Sequence, residues 1–344
     1  MIIINILFLL AGLYVLIKGA DFLIEGSTSI AKKYKISPMI IGLTIVAFGT
    51  SMPELMINVM GALKGSSGVA MGNVIGSNIA NILLVLGSIA LIKKITVKKS
   101  VLQKEIPFAI FSVLLLILVI NSRFLAGEGT YLSKANGYIL LSFFMLFMLY
   151  LFQTARKPEI KPVEAEIEEV KKVDMSKSAG YIVLGIIGLY LGSEWAVGNA
   201  VILSQLIGMS EFAISASVIA VGTSLPELVT SLSAAKNNKL DLAVGNIVGS
   251  NIFNILWILG VTSAIRPIAI TRFVNLDLVI LLAISIFFLL TIALREDKTI
   301  TKKMGIVYLS IYALYLISLF IRNWTIILIN ITNLFTIGGI KNGN

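Results

Sequence analysis

Two segments of the chain place an acidic residue within a long apolar run. GTSMPEL, residues 49–55, contains Glu54, and GTSLPEL, residues 222–228, contains Glu227. An acidic side chain at the centre of a membrane helix disfavours insertion by roughly 2.5 to 3.5 kcal/mol on translocon-derived scales, and such residues generally mark functional sites. Two carboxylates in these surroundings need a partner, and a bound divalent cation would balance the charge of both.

Hydroxyl and amide side chains accompany each acid at helical spacing. Residues four apart share one face of a helix, which is the spacing from Thr50 to Glu54 and from Ser77 to Asn81. The first set is therefore Thr50, Ser51, Glu54, Ser77 and Asn81. The second set is Thr223, Ser224, Glu227, Ser250 and Asn254. Such oxygen ligands suit calcium, magnesium or sodium rather than soft transition metals, and the chain has no histidine or cysteine to offer instead.

A proline in each acidic motif makes further oxygen atoms available. Pro53 and Pro226 have no N–H, so the carbonyls four residues earlier, at Gly49 and Gly222, lose their helical partners. We expect the same kinks to release two neighbouring carbonyls, those of Ala47 and Ala220. Inside a membrane, freed carbonyls must be satisfied by neighbouring groups, water or an ion, and broken helices of this kind form coupling-ion sites in transporters.

The composition indicates that membrane helices carry these motifs. Hydrophobic residues make up 57% of the 344 residues and charged residues 13%, and the mean hydropathy is +0.96, which is far from the balance of a water-soluble domain. Apolar runs of roughly 20 residues, the length that crosses a bilayer, predict an all-α polytopic membrane protein with about ten transmembrane helices. The runs lie near residues 2–20, 38–63, 68–92, 105–122, 136–154, 179–203, 212–235, 242–263, 273–294 and 304–321.

The basic residues predict the orientation of these spans. Of the 28 Lys and Arg residues, 20 fall on one side of the predicted membrane. The positive-inside rule makes that side cytoplasmic, so we expect a multi-pass protein of the cell (plasma) membrane, with both termini outside and the central linker inside. The same distribution accounts for the net charge of +10 without a nucleic-acid partner.

The sequence repeats itself at an offset of 173 residues. GNVIGSNIANILLVLG at 72–87 matches GNIVGSNIFNILWILG at 245–260 without a gap, as the acidic motifs also do. Five spans per half give the second half the opposite orientation, which is the inverted-repeat plan of many secondary transporters. The predicted units are a first five-helix repeat at 1–154, a charged cytoplasmic linker at 155–178, a second five-helix repeat at 179–322 and a tail at 323–344. We expect the tail to be a membrane-surface segment or a frayed end.

Structural roles compete with ion binding for several residues. Small residues four apart let membrane helices pack closely, and we expect this role for Gly72, Gly76, Gly245 and Gly249. The hydroxyls of Ser77 and Ser250 have the alternative of bonding to their own helix. Asp21 and Glu194, which are equivalent at the 173-residue offset, lie towards the ends of their spans, where we expect solvation rather than ion binding.

The paired motifs resemble those of a known family. GTSMPEL and GTSLPEL, each followed by a GN..GSNI..NI segment, are similar to the two alpha repeats of the calcium/cation antiporter superfamily, and most similar to those of prokaryotic sodium/calcium exchangers. The resemblance covers nearly the whole chain. It implies that spans two, three, seven and eight form an ion-binding centre and that spans one and six slide across it.

The resemblance also implies a role for each candidate site residue. Glu54 and Glu227 match acids that coordinate calcium, and Asn81 matches the asparagine of the first repeat. The matched hydroxyl ligands for sodium or calcium are Thr50, Ser51, Ser77, Thr223, Ser224 and Ser250, and the matched backbone carbonyls are those of Ala47 and Ala220. Asn254 departs from the pattern because these exchangers often carry aspartate there, so this centre has only two carboxylates.

The implied activity is antiport rather than enzymatic catalysis. Sodium and calcium ions would compete for one centre, with sodium entry driving calcium out and without a cofactor or an obligate protein partner. The nearest alternative is a calcium/proton exchanger in which the two acids take up protons, although the many hydroxyls and the lack of histidine favour sodium. A potassium-dependent exchanger is a further alternative. A cation channel could also use acids and freed carbonyls, but inverted repeats argue for alternating access, and a purely structural role leaves the duplicated acids unexplained.

Overall fold

The computed structural model describes residues 2–64, 67–121, 131–155, 174–206, 220–270 and 274–340. Within them, eight helices are long and apolar enough to cross a membrane, and a ninth candidate span is a helix pair, Pro38–Thr50 and Met52–Val59, that is bent by 43°. The prediction of an all-α polytopic protein is thus confirmed. Of the ten predicted spans, the one at 212–235 begins outside the described residues.

Helices make up almost all of the described chain. The α-helices are α1 (Ile2–Tyr34), α2 (Pro38–Ile41), α3 (Ala47–Thr50), α4 (Met52–Lys64), α5 (Ser67–Ala80), α6 (Leu86–Ile92), α7 (Lys99–Gln103), α8 (Glu105–Asn121), α9 (Lys134–Ala155), α10 (Met175–Leu206), α11 (Ala220–Thr223), α12 (Leu225–Lys236), α13 (Leu240–Ile252), α14 (Leu259–Ile265), α15 (Val274–Ala293) and α16 (Lys302–Ile340). Three π-helical turns, Gly42–Val46, Asn81–Val85 and Phe253–Ile258, join α2 to α3, α5 to α6 and α13 to α14. The short strands are β1 (Ile95–Thr96), β2 (Tyr131–Leu132), β3 (Ile268–Ala269) and β4 (Thr299–Ile300).

Three helices extend beyond their predicted spans. α1 has 33 residues and α10 has 32, which is more than a bilayer crossing requires. α10 begins at Met175, inside the predicted linker. α16 has 39 residues and continues to Ile340, so the expectation of a frayed end is wrong for residues 323–340. No glycine or proline interrupts residues 306–337, and the helix therefore has no local reason to stop.

α1 and α10 pack along one another in opposite directions. A Cβ atom added to Gly12 would lie 2.5 Å from the Ala196 nitrogen, and one added to Gly26 would lie 2.6 Å from the Ser178 carbonyl oxygen. The partner numbers on α10 fall as the numbers on α1 rise, so the two helices are antiparallel. Glycine allows their backbones to touch, as small residues do in other membrane-helix pairs.

The glycines of the second GN motif lie at a helix contact, as expected. A Cβ atom added to Gly245 on α13 would lie 2.4 Å from the Met39 carbonyl oxygen on α2, and Gly249 is in similarly close contact one turn later. No described residue lies within 4 Å of a Cβ atom added to the equivalent glycines of the first half, Gly72 and Gly76. The repeat-related partners of Gly72 fall within 212–219, outside the described residues.

Both acidic motifs break their helix just before the proline. α3 ends at Thr50, and Ser51 leaves helical geometry with φ −87° and ψ 7°. α4 then begins at Met52, immediately before Pro53. The second half breaks in the same way at Ser224, where φ is −92° and ψ is 4°. Because proline tolerates the first turn of a helix but not its interior, each motif starts a new helix instead of continuing the old one.

Two short strand pairs join loops of the two halves crosswise. β1 pairs antiparallel with β4, with Ile95 opposite Ile300. β2 pairs antiparallel with β3, with Leu132 opposite Ile268. We call these pairs the strand straps. They connect the halves outside the helices that carry the acidic motifs.

Candidate cation-binding site

The helix breaks place both acids at helix N-termini. Glu54 lies in the first turn of α4, and Glu227 lies in the first turn of α12. Both side chains are fully buried, with an exposed fraction of 0%. The positive end of a helix dipole favours a carboxylate there, which partly offsets the burial of the charge. In the part of the chain that the structure describes, neither acid forms a salt bridge.

Hydroxyl groups of one half meet groups of the other half around the acids. Ser51 Oγ donates a hydrogen bond to Glu227 Oε1 at 3.1 Å. Two hydroxyl pairs also cross between the halves: Thr50 with Ser250 at 3.4 Å, and Ser77 with Thr223 at 3.5 Å. These pairs are related by the 173-residue offset. Ser77 and Ser250 therefore face the opposite half, and hydroxyl groups of both halves meet around the acids.

Six buried oxygen atoms of the candidate residues have no hydrogen-bond partner among the described residues. They are Glu54 Oε1 and Oε2, Glu227 Oε2, Ser224 Oγ, Asn81 Oδ1 and Asn254 Oδ1. Buried polar atoms are normally hydrogen-bonded, because burying one without a partner is costly. The two acids also repel one another electrostatically. A hard cation between the two acids would supply a partner for their free carboxylate oxygens and would remove the repulsion.

The Ala47 carbonyl is not released by the first break. It accepts a hydrogen bond from the Ser51 N–H at 3.0 Å, so the prediction of a freed carbonyl at this position is wrong. Pro53 removes only its own N–H, and the helical partner of that N–H is the Gly49 carbonyl. The Ser51 N–H is intact and keeps its ordinary bond to the fourth residue before it.

The Ser224 N–H, at the second break, bonds to the Val221 carbonyl at 3.1 Å, which is three residues back. Release of the Ala220 carbonyl stays a prediction.

The two proline-freed carbonyls have different neighbours. The Gly222 carbonyl accepts a hydrogen bond from Ser193 Oγ on α10 at 3.4 Å. The residue of α1 equivalent to Ser193 at the 173-residue offset is Ala20, whose side chain has no donor. The sequence therefore satisfies one freed carbonyl from its own half and offers no equivalent donor to the other.

Asp21 differs from the expectation of simple solvation. It is half-buried, and its Oδ1 accepts a hydrogen bond from Ser233 Oγ on α12 at 2.6 Å. The reason is a hydroxyl on a neighbouring helix, which the sequence of α1 alone does not reveal. Glu194, the equivalent residue of α10, is exposed as expected. The residue equivalent to Ser233 is Met60, which cannot donate such a bond.

Sequence reasoning missed several asparagines of the same motifs. Asn246 Oδ1 accepts a hydrogen bond from Thr50 Oγ1 at 3.1 Å, and Asn246 Nδ2 donates to Ser231 Oγ at 2.9 Å. Asn78 and Asn251 bond to one another across the halves. The signal was available, because each of these asparagines stands in a motif that repeats at the 173-residue offset. They were missed because the candidate residues were chosen only at positions four apart from one another.

The fold and the site together define a class of protein. Two broken helices, one from each half, bring buried acids and unpartnered oxygen atoms to one volume, which is the arrangement of a coupling-ion site in a secondary transporter. The model of the sodium/calcium exchanger protein family matches residues 4–153 and 177–321. The chain therefore belongs to the sodium/calcium exchanger family.

Similar proteins cover most of the chain. The putative antiporter CaxA of Alkalimonas amylolytica is 42% identical over 76% of this chain and 81% of its own. The sodium/calcium exchanger MaX1 of Methanosarcina acetivorans is 30% identical over 93% of this chain and 99% of its own. A solved structure of the sodium-calcium exchanger NCX_Mj, soaked with zero Na⁺ and Ca²⁺, is 31% identical, with a TM-score of 0.76 over 93% of this chain and 100% of that one. The protein is thus a helical multi-pass membrane transporter and not an enzyme.

Proposed function

We propose that this protein exchanges sodium for calcium across the cell membrane by alternating access, with sodium entry driving calcium out. The observation that carries the proposal is the pair of buried acids, one from each half, with three carboxylate oxygens that have no partner in the part of the chain that the structure describes. Membership of the sodium/calcium exchanger family supports this choice of ions.

Calcium fits the centre by charge and by ligand type. It takes 6–8 oxygen ligands in proteins, and two carboxylates balance its charge. The proposed side-chain ligands for calcium and sodium are Glu54, Glu227, Thr50, Ser51, Thr223, Ser224, Ser77, Ser250, Asn81 and Asn254. The Ala220 carbonyl is the proposed backbone ligand, because the Ala47 carbonyl already accepts a hydrogen bond from the Ser51 N–H at 3.0 Å and lies 3.3 Å from Thr50 Oγ1.

The same charges explain why the two ions exchange for one another. An empty centre would hold two uncompensated carboxylates in a low-dielectric environment, and moving it across the membrane barrier is unfavourable. A bound calcium ion or a set of sodium ions neutralises the acids and lowers that cost. The transporter therefore changes sides with an ion bound, which couples the two fluxes.

An inverted arrangement of the two halves is supported by several contacts. α1 and α10 are equivalent in sequence and run antiparallel, and hydrogen bonds around the site recur at the 173-residue offset. Lys32 and Lys239 lie close enough to interact, and burial together with Lys32 lowers the pKa of Lys239. Both lysines belong to the side with 20 of the 28 basic residues. We therefore assign that side and the 155–178 linker to the cytoplasm and both termini to the outside.

Sodium-driven calcium uptake is the direct test of the proposal. Purified protein in sodium-loaded liposomes, diluted into sodium-free medium containing radioactive calcium, should accumulate calcium because sodium leaving through the same centre drives it in. The uptake should vanish when sodium is equal on both sides. Protein-free liposomes are the control for leakage.

Two results would contradict the proposal, one from this experiment and one from recordings in planar bilayers. Uptake that ignores the sodium gradient and follows an imposed pH gradient would assign protons as the counter-ion. Unitary currents in planar bilayers would indicate a channel. Either result leaves the calcium site in place but removes sodium/calcium antiport.

The bond between Asp21 and Ser233 gives a second prediction. It ties α1 to α12 on the proposed cytoplasmic side, while the equivalent pair on the other side, Glu194 and Met60, cannot form it. Ser233→Ala should therefore favour opening towards the cytoplasm. Because the chain has no cysteine, a single Ser231→Cys substitution can report this opening through its rate of modification by a membrane-impermeant thiol reagent.

The expected result is faster modification from the cytoplasmic side in the Ser233→Ala background. Ser233→Thr keeps the hydroxyl group and is the matched control, so it should leave the rate unchanged. Equal rates for the alanine and threonine variants would show that the bond to Asp21 does not favour the closed state.

A further inference from the structure

A cluster of four asparagines joins the first half to the second. Asn78 Nδ2 donates to the Asn251 backbone carbonyl at 3.2 Å, and Asn251 Nδ2 donates to the Asn78 backbone carbonyl at 3.4 Å. Asn81 Nδ2 donates to Asn251 Oδ1, and Asn254 Nδ2 donates to Asn78 Oδ1, both at 3.0 Å. Each bond has its counterpart at the 173-residue offset. We call these residues the asparagine cluster.

The cluster determines which end of each amide faces which way. A backbone carbonyl can only accept a hydrogen bond, so the Asn78 group that faces the Asn251 carbonyl must be its NH₂. The Asn78 oxygen then faces Asn254, which must in turn offer its own NH₂. The same reasoning runs from Asn251 to Asn81. Both backbone carbonyls therefore fix the orientation of side chains in the opposite half.

The free ends of Asn81 and Asn254 are both oxygen atoms. Both residues have an exposed fraction of 0%, and neither Oδ1 atom has a hydrogen-bond partner among the described residues. Asn81 and Asn254 lie one helical turn after Ser77 and Ser250, whose hydroxyls contact Thr223 and Thr50 of the site. Two buried amide oxygens held in this way can only be satisfied by a donor or a cation. A flipped amide would instead present an NH₂ group, which repels a cation.

We propose that Asn78 and Asn251 are positioning residues that aim the amide oxygens of Asn254 and Asn81, respectively, at the transported cation. The inference rests on the proposed function, because it takes that cation to be calcium or sodium. Each half thus orients a ligand that belongs to the other half. Partners that orient a metal ligand typically contribute 10- to 100-fold to metal affinity.

The cluster also accounts for the asparagine at position 254. An ionised aspartate there would set a carboxylate oxygen against Asn78 Oδ1, and neither atom could donate. Turning the Asn78 amide to provide a donor would break its bond to the Asn251 carbonyl. Asn254 and Asn78 are therefore chemically matched, and the site keeps two carboxylates.

Double-mutant cycles on calcium affinity test this pairing. The measurement is calorimetric titration of purified protein in detergent with calcium alone, so that no sodium coupling is needed. Asn78→Ala should weaken calcium binding by about tenfold. Asn254→Ala should then cost little more in the Asn78→Ala background, because its oxygen is no longer aimed, whereas Asn81→Ala should keep its full effect there.

The mirror-image variant provides an independent check. The effect of Asn251→Ala on calcium affinity should couple to that of Asn81→Ala and not to that of Asn254→Ala. This variant tests the positioning role even if Asn78→Ala does not fold. Additive losses for all four pairs, or coupling to the wrong partner, would overturn the positioning role. Failure of sodium-driven uptake by the wild-type protein that still binds calcium would instead contradict antiport and leave the cluster proposal standing. A wild-type protein that binds no calcium would overturn the cluster proposal directly.

Discussion

Replacing either acid of the site with glutamine, as Glu54→Gln or Glu227→Gln, should abolish calcium transport. Glutamine keeps the size and one acceptor oxygen but removes half of the negative charge that balances calcium. Breaking a buried charge pair by removing one partner typically costs about 3–5 kcal/mol, which corresponds to a loss of affinity of roughly a hundredfold or more. Calcium uptake into sodium-loaded liposomes measures the effect.

A buried glutamate outside the site provides the matched control. Glu105 on α8 has an exposed fraction of 5% and accepts a hydrogen bond from the Tyr150 hydroxyl at 2.5 Å. Glutamine can accept the same bond, so Glu105→Gln should transport calcium normally. Without calcium, the two site variants should melt no lower than the wild type, because they lose the repulsion between the acids. Calcium transport by either site variant at the wild-type rate would refute a shared two-carboxylate centre.

Gly245→Ala should lower the stability of the protein. Its new Cβ atom would lie 2.4 Å from the Met39 backbone oxygen, and a backbone atom cannot move aside as the end of a side chain can. Overpacking of this kind typically costs about 1–3 kcal/mol and occasionally more. It would push α13 away from α2, next to the broken helix that carries Glu54. The midpoint of thermal unfolding in detergent measures the effect.

Gly180→Ala is the control for the intrinsic effect of alanine in a helix. No described residue lies within 4 Å of a Cβ atom added at this position of α10. Alanine is the better helix former, so this variant should be at least as stable as the wild type. Equal unfolding midpoints for the Gly245→Ala and Gly180→Ala variants would show that α2 and α13 can move apart without a loss of stability.

Residue spacing was enough to predict that hydroxyl groups of the two halves would meet near the acids. The offset between Glu54 and Glu227, and the four-residue intervals around them, placed hydroxyls, amides and acids on facing helices. Helix breaks followed from proline, whose local effect does not depend on the rest of the fold. These properties are carried by a single helix at a time, and for that reason a sequence displays them.

Contacts between helices were the part that spacing could not supply. The bond from Ser233 to Asp21 depends on how α12 lies against α1. The amide orientations in the asparagine cluster follow from backbone carbonyls of the opposite half. Each requires the relative position of two elements that are far apart in sequence.

The strand straps bear on how the chain is made. The partner of Ile95 is Ile300, and the partner of Leu132 is Ile268, so neither strap can close until the ribosome has synthesised the second half. The first five spans must therefore wait in the membrane with both of their strands unpaired and with Glu54 still lacking its opposite acid. Folding of this transporter thus ends with the pairing of these strands, in which loops of the second half bind loops of the first half, whose helices were inserted earlier.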